Sequence, residues 1–170
     1  GEHIQSFIDR IVDARKPVII STGLRTHHQV YDLIDRYGSN RTAFLHCITD
    51  YPALEQNLNL SFISAMQRYC RESGSVVGYS DHTDGTLACQ IAVAMGAKII
   101  EKHICLESSE GQDVAVSIRD RKDLQAFVKS IRKIERMMGT DFRQYSAEER
   151  ENEAWALKGK DGLRPQAGLQ

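Results

Sequence analysis

Gly78-Tyr79-Ser80-Asp81-His82-Thr83 follows the β-branched pair Val76-Val77 and precedes an apolar helical pattern that opens near Thr86. A polar cluster at the carboxyl end of a strand, just before a helix, is where α/β proteins carry their chemistry. A second such cluster, Glu101-Lys102-His103, closes the next apolar run, Ala97 to Ile100. Each cluster offers one histidine at a strand end. In a parallel sheet the two imidazoles could face one another and share a metal ion.

The rest of the chain supplies neighbours for these two strands. Short apolar runs at Pro17 to Ile20, Ala43 to Ile48, Val76 to Tyr79 and Lys98 to Glu101 read as buried strands. Between them the apolar residues recur at three and four positions, the spacing of helices. The first pattern is Ile4, Phe7, Ile8, Ile11 and Val12. In the second, Thr26 and Gln29 have capping-box spacing ahead of Val30, Leu33 and Ile34, and Gly38 ends it. His27 and His28 fall in that first turn and read as helix surface. Asn59 is the expected N-cap for Leu60, Ile63, Met66 and Tyr69, and Gly96 the expected stop for Leu87, Ile91, Val93 and Met95. A long helix is predicted from about Asp120 to Met138, with Leu124, Phe127, Val128, Ile131 and Ile134 on one face and Gly139 ending it.

A helix followed by four βα units implies a parallel α/β sheet, because crossovers of this length join parallel strands. Four strands cannot close a barrel that needs eight. The pattern is therefore a small open sheet or half of something larger. Residues 1–139 form that unit, and 140–170 read as a charged tail or linker with a short helix across Ala147 to Leu157.

Composition narrows the function classes. With 41% hydrophobic and 26% charged residues and a net charge of -1, the chain reads as one soluble globular unit without the basic face a duplex nucleic-acid binder needs. The longest weakly polar stretch, Leu87 to Ile100, is too short for a bilayer, and no charged-then-apolar leader stands at the amino terminus. A cytoplasmic location is expected. Cys47, Cys70, Cys89 and Cys105 form no C-x-x-C pair, so they read as reduced thiols.

All four strands end in groups suited to an anion or a metal: Ser21 and Thr22, Thr49 and Tyr51, Ser80 and His82, Lys102 and His103. Hydroxyls and backbone N–H groups at loop-to-helix junctions suit phosphate. The bland alternative is that Ser21, Thr49 and Ser80 only cap the turns that follow.

At these residues the chain resembles the N-acetylneuraminate (sialic acid) synthase family. The resemblance rests on Lys16-Pro17-Val18-Ile19-Ile20-Ser21-Thr22-Gly23, Leu45-His46-Cys47 leading to Tyr51-Pro52, Asn59-Leu60, Gly78 to Thr83, and Gly96 to His103, in order and spacing. It implies a (β/α)8 TIM-barrel enzyme that condenses phosphoenolpyruvate with N-acetylmannosamine or a related amino sugar and releases phosphate. This chain then looks like strands five to eight, the second half of that barrel, incomplete alone.

Carried over by residue, the resemblance makes His82 and His103 the protein ligands of a divalent metal, commonly Mn²⁺, with Mg²⁺ or Co²⁺ as alternatives. It places Ser21, Thr49 and Ser80 at the phosphate of phosphoenolpyruvate and Tyr51 and Asp113 at the amino sugar, with Glu101 in support. The family's general base and phosphate-neutralising lysines belong to the absent early strands, so the fragment alone is expected to be inactive. A homodimer is also implied. Three departures stand out: Gly111-Gln112-Asp113-Val114 where the family usually has Gly-Pro-Asp-His, Ile48-Thr49-Asp50 after Cys47, and an acidic stretch, Glu151 to Trp155, in place of a basic segment. They keep a legionaminate or pseudaminate synthase open as an alternative. Two others are a non-catalytic half-barrel binding module and a pair of merely hydrogen-bonded interior histidines.

Overall fold

The computed structural model describes residues 2–158 and 162–163. The side chain of Ile4 and the end of the expected tail, 164–170, lie outside the described residues. Two compact units are distinguished, 1–138 and 139–170.

The first unit runs α1 (Glu2–Asp13), β1 (Val18–Ser21), α2 (His27–Tyr37), β2 (Thr42–Cys47), α3 (Phe62–Tyr69), β3 (Val76–Asp81), α4 (Leu87–Ala94), β4 (Ile100–Lys102) and α5 (Arg121–Met138). The four strands form one parallel sheet in the order β1-β2-β3-β4, curled as a half barrel. Both edges, β1 and β4, are open among the described residues.

Alternation along the strands sorts the side chains onto two faces. Ile20, Phe44, Val77 and Tyr79 point to the helices, where they join Val30, Ile34, Ile63 and Met66 in the core. Burying side chains of this size stabilises the sheet-helix contact by about 1.5–3 kcal/mol each. The other face carries Ile19, Ser21, Leu45, Ser80 and Glu101, because Ser21 registers with Leu45 and Ser80 with Glu101. Near the open edge this face is bare: Ile19 is 57% exposed.

Gly78 lets β2, β3 and β4 close up. A Cβ there would lie 2.5 Å from the Ile99 carbonyl oxygen and 2.5 Å from Leu45 Cδ2. Gly96 has φ +98 and ends α4 as expected. The Thr26 box forms as spacing predicts, with Gln29 N donating to Thr26 Oγ1 at 3.4 Å and Thr26 N to Gln29 Oε1 at 3.0 Å. Helix α1 is anchored to α2 through Asp9, which accepts from the Tyr37 hydroxyl at 2.8 Å.

Several boundaries differ from expectation. Asn59 is not the cap of α3: it has φ +47, and the helix opens three residues later at Phe62. Asparagine tolerates the left-handed region and turns the chain there instead. Strand β3 continues two residues past Tyr79, to Asp81, and β4 begins at Ile100 rather than Lys98. The predicted apolar face of α5 exists but is only partly covered, with Val128 46% exposed. It borders a cavity of about 340 Å³ against Ile100 and Lys102 of β4.

In the second unit the expected single helix is two short ones, α6 (Ala147–Glu151) and α7 (Glu153–Ala156), divided at Asn152. Ser146 and Glu149 cap α6 reciprocally, at 3.0 and 3.1 Å. No helix of the described residues is long and apolar enough to cross a membrane.

Candidate functional site

Parallel register sets Ser80 beside Glu101 and Asp81 beside Lys102. The next residues, His82 and His103, therefore leave neighbouring strands at the same level. Their ring centroids are 5.4 Å apart and their planes meet at 73°. Two imidazoles bound to one ion through nitrogens at about 2.1 Å have centroids roughly 4.5–5.5 Å apart, so the spacing suits a shared cation.

The orientation of His82 is fixed chemically. It is 6% exposed, and its Nδ1 lies 2.8 Å from the Ile48 carbonyl oxygen. A carbonyl can only accept, so the neutral ring keeps its proton on Nδ1 and presents the Nε2 lone pair. The Tyr51 hydroxyl donates to that Nε2 at 3.0 Å. Its ring lies 4.1 Å from the His82 centroid and 5.9 Å from that of His103. Burial raises the Tyr51 phenol above its ordinary value, and Cys47, Asp113 and Glu101 push the same way, so Tyr51 stays a donor. Tyr51 precedes Pro52 through a cis peptide bond.

By their spacing the two rings could hold a divalent ion through one nitrogen each, His82 through Nε2 once the Tyr51 hydroxyl gives it up. Among the described residues no three His, Cys, Asp or Glu side chains gather as a metal-binding group. The remaining positions on such an ion would fall to water or substrate. Asp113 stands at the rim: its Oδ2 is 4.0 Å from His103 Nδ1, and its side chain is 69% exposed.

Ser80 and Glu101 form a second pair. The Ser80 hydroxyl, in a residue 2% exposed, donates to Glu101 Oε1 at 2.5 Å. Ser21 ends β1 on an exposed edge, and Thr49 lies in the loop after β2, its hydroxyl 3.6 Å from where a Cβ on Gly23 would sit. Neither joins the hydrogen bonds around His82 among the described residues.

A third cluster was not foreseen. Asp81, wholly buried, accepts at Oδ1 from the Tyr79 hydroxyl (3.0 Å) and Thr83 N (3.1 Å). At Oδ2 it accepts from Thr83 Oγ1 (3.1 Å), Cys89 Sγ (3.2 Å) and Lys102 Nζ (2.8 Å). Burial alone would raise its pKa; Lys102, Thr83 and Cys89 outweigh that and hold it below the usual carboxylate value. The available signal was opposite charges standing immediately before the two histidines. Lys102, expected to serve an anion, instead turns toward the helices, its side chain 4% exposed.

Comparison with known proteins agrees with this architecture. Residues 3–143 match the NeuB family. The chain is 37% identical over 142 residues to N,N'-diacetyllegionaminic acid synthase of Legionella pneumophila, covering 79% of this chain and 39% of that protein. It is 32% identical over 142 residues to N-acetylneuraminate-9-phosphate synthase of Homo sapiens, covering 81% and 38%. The crystal structure of N-acetylneuraminic acid (sialic acid) synthetase from Leptospira borgpetersenii, in complex with citrate, superposes with a TM-score of 0.72 at 29% identity, covering 86% of this chain and 51% of that one. The chain thus spans about two fifths of the length of the curated relatives it matches. With the family matched over most of its length and the histidine-bearing strand ends assembled as described, the chain belongs to the NeuB family.

Proposed function

We propose that this chain is the second half, strands five to eight, of a TIM-barrel synthase that condenses phosphoenolpyruvate with an N-acetylated amino sugar and releases phosphate, yielding a nonulosonic acid. The observation that carries the reading is the His82 and His103 pair, 5.4 Å apart at the ends of adjacent strands. A divalent cation, Mn²⁺ or a similar ion, held by these two rings would supply Lewis acidity and a template for the sugar's oxygen atoms. The substrates, a missing half barrel and a second subunit are the partners of this reading, and its setting is the cytoplasm.

The chain's own residues prepare the site. Ile48 holds the His82 proton on Nδ1, away from the reacting side. Tyr51 closes the wall beside both imidazoles, where an acceptor sugar would lie. Asp113 at the rim is placed to accept from sugar hydroxyls. Ser80 is the hydroxyl for the phosphate of phosphoenolpyruvate, with Ser21 at the end of β1 and Thr49 in the loop after β2. Ser80 has one proton, and Glu101 now takes it. Donation to a phosphate oxygen therefore requires the Ser80 hydroxyl to turn from Glu101, whose role is to hold it in readiness. Glu101 repels an anion, so phosphate binding also needs positive charge from the strands that complete the barrel.

The test is phosphate release from phosphoenolpyruvate by the longer protein that carries this chain, with N-acetylmannosamine and diacetamido hexoses as acceptors. Release that depends on the sugar, and falls at least a hundredfold in His82→Ala and His103→Ala, supports the reading. Unchanged release in both variants refutes it. The 170-residue chain alone is expected to show no turnover.

A further inference from the structure

His82 is bracketed by residues that all bind one buried group. Asp81, before it, accepts from Thr83, after it, through both the backbone N–H (3.1 Å) and the hydroxyl (3.1 Å). This side-chain-closed turn has His82 at its centre. Lys102, the residue before His103, reaches back to donate to Asp81 Oδ2 at 2.8 Å and to the Thr83 carbonyl at 2.5 Å. One ammonium group thus joins the residue ahead of one histidine to the residues on both sides of the other.

Stability is a weak reason for such an arrangement. Asp81 and Lys102 have side chains 0% and 4% exposed, and an apolar pair in place of a buried ion pair is often as stable or more so. What an apolar pair lacks is direction. Hydrogen bonds at fixed angles define where the ends of β3 and β4 point, and therefore where the two rings point.

We infer that Asp81 and Lys102 are positioning residues that hold the His82 ring against the Ile48 carbonyl and fix its spacing from His103. The inference deepens the synthase reading and rests on it for the identity of the ligand. The two residues touch neither substrate nor ion. They act through the turn around His82, as groups behind ligating histidines do when they fix ring orientation.

The experiment compares the chain with its Asp81→Asn/Lys102→Met double variant, which removes both charges at similar volume. Thermal melting by circular dichroism establishes folding. Long-range ¹H–¹⁵N spectra of the histidines report the His82 tautomer, and Mn²⁺ binding is titrated by electron paramagnetic resonance. The parent is expected to show a single His82 tautomer protonated on Nδ1. The folded double variant is expected to show tautomer averaging and Mn²⁺ binding about 10–100-fold weaker. If the double variant does not fold, Lys102→Met alone, which leaves Asp81 its hydrogen bonds from Tyr79, Thr83 and Cys89 and removes only the link between the two strands, is expected to weaken binding up to about tenfold. A parent-like tautomer spectrum and parent-like Mn²⁺ affinity in a folded variant overturn the inference. A parent that binds no Mn²⁺, or binds it equally well as His82→Ala, defeats the metal reading instead. The tautomer spectra then decide the positioning role by themselves, an unchanged His82 signal overturning it.

Discussion

Replacing Gly78 by alanine tests whether close approach of β3 and β4 shapes the site. Gly78 has extended backbone, so alanine suffers no conformational strain there and the whole effect is steric. The added Cβ would lie 2.5 Å from the Ile99 carbonyl oxygen, 2.5 Å from Leu45 Cδ2 and 2.9 Å from Ile99 Cβ. Ordinary contacts need nearly 1 Å more. Leu45 is fully buried, so its methyl has little room to yield. The Ile99 oxygen accepts from Tyr79 N at 2.9 Å, and Lys98 N donates to the Val77 oxygen at 2.8 Å. Relief therefore requires β4 to move away and stretch these bonds.

Overpacking of this kind costs about 1–3 kcal/mol. Loss of glycine's freedom in the unfolded chain returns about 0.4–1 kcal/mol, leaving a net loss of roughly 1–2 kcal/mol. In urea denaturation followed by circular dichroism, the midpoint should fall with the slope unchanged. The histidine ring signals should shift as well, because β4 carries His103. A Gly78→Ala chain as stable as the parent, with unmoved histidine signals, would refute the reasoning.

His46 is buried and gives an acid-sensitive stability. Burial lowers its pKa below the ordinary 6.5, only partly offset by its hydrogen bond to the Leu58 carbonyl. The unfolded chain therefore takes the proton first, and stability present above pH 6.5 is lost as pH falls toward the folded value. The slope is at most about 1.4 kcal/mol per pH unit, and it should flatten in His46→Phe when urea midpoints are compared between pH 7 and 5. Tyr51→Phe removes the hydroxyl that covers His82 Nε2; releasing a net bond of about 1 kcal/mol should tighten Mn²⁺ binding about fivefold in the same resonance titration. A weaker-binding Tyr51→Phe would contradict that. Cys47, Cys70 and Cys89 are buried, and burial pushes the Cys70 thiol up to about 11. With a disulfide reagent at pH 8, Cys105 should react first, and the other three only after unfolding.

The order of elements was legible in the sequence because strand and helix periodicity, capping and glycine stops are local. Ile20 and Phe44 on buried strands, the Thr26 box and the Gly96 stop all follow from a few adjacent residues. So did the two histidine-bearing strand ends, since each motif closes an apolar run. Asn59 and the start of α3 were misread because a capping residue and a left-handed turn residue have the same short polar side chain. What no local pattern holds is the pairing between distant positions: Asp81 with Lys102, Ser80 with Glu101, the His82 ring with the Ile48 carbonyl. Those partners meet only when parallel register brings the strand ends level, and only then does burial select which polar groups must bond to one another. The sequence by itself determined that two imidazoles would sit at the ends of neighbouring strands. Tertiary structure alone decided which nitrogen of His82 carries the proton, because that depends on a carbonyl 34 residues away along the chain and 2.8 Å away in space.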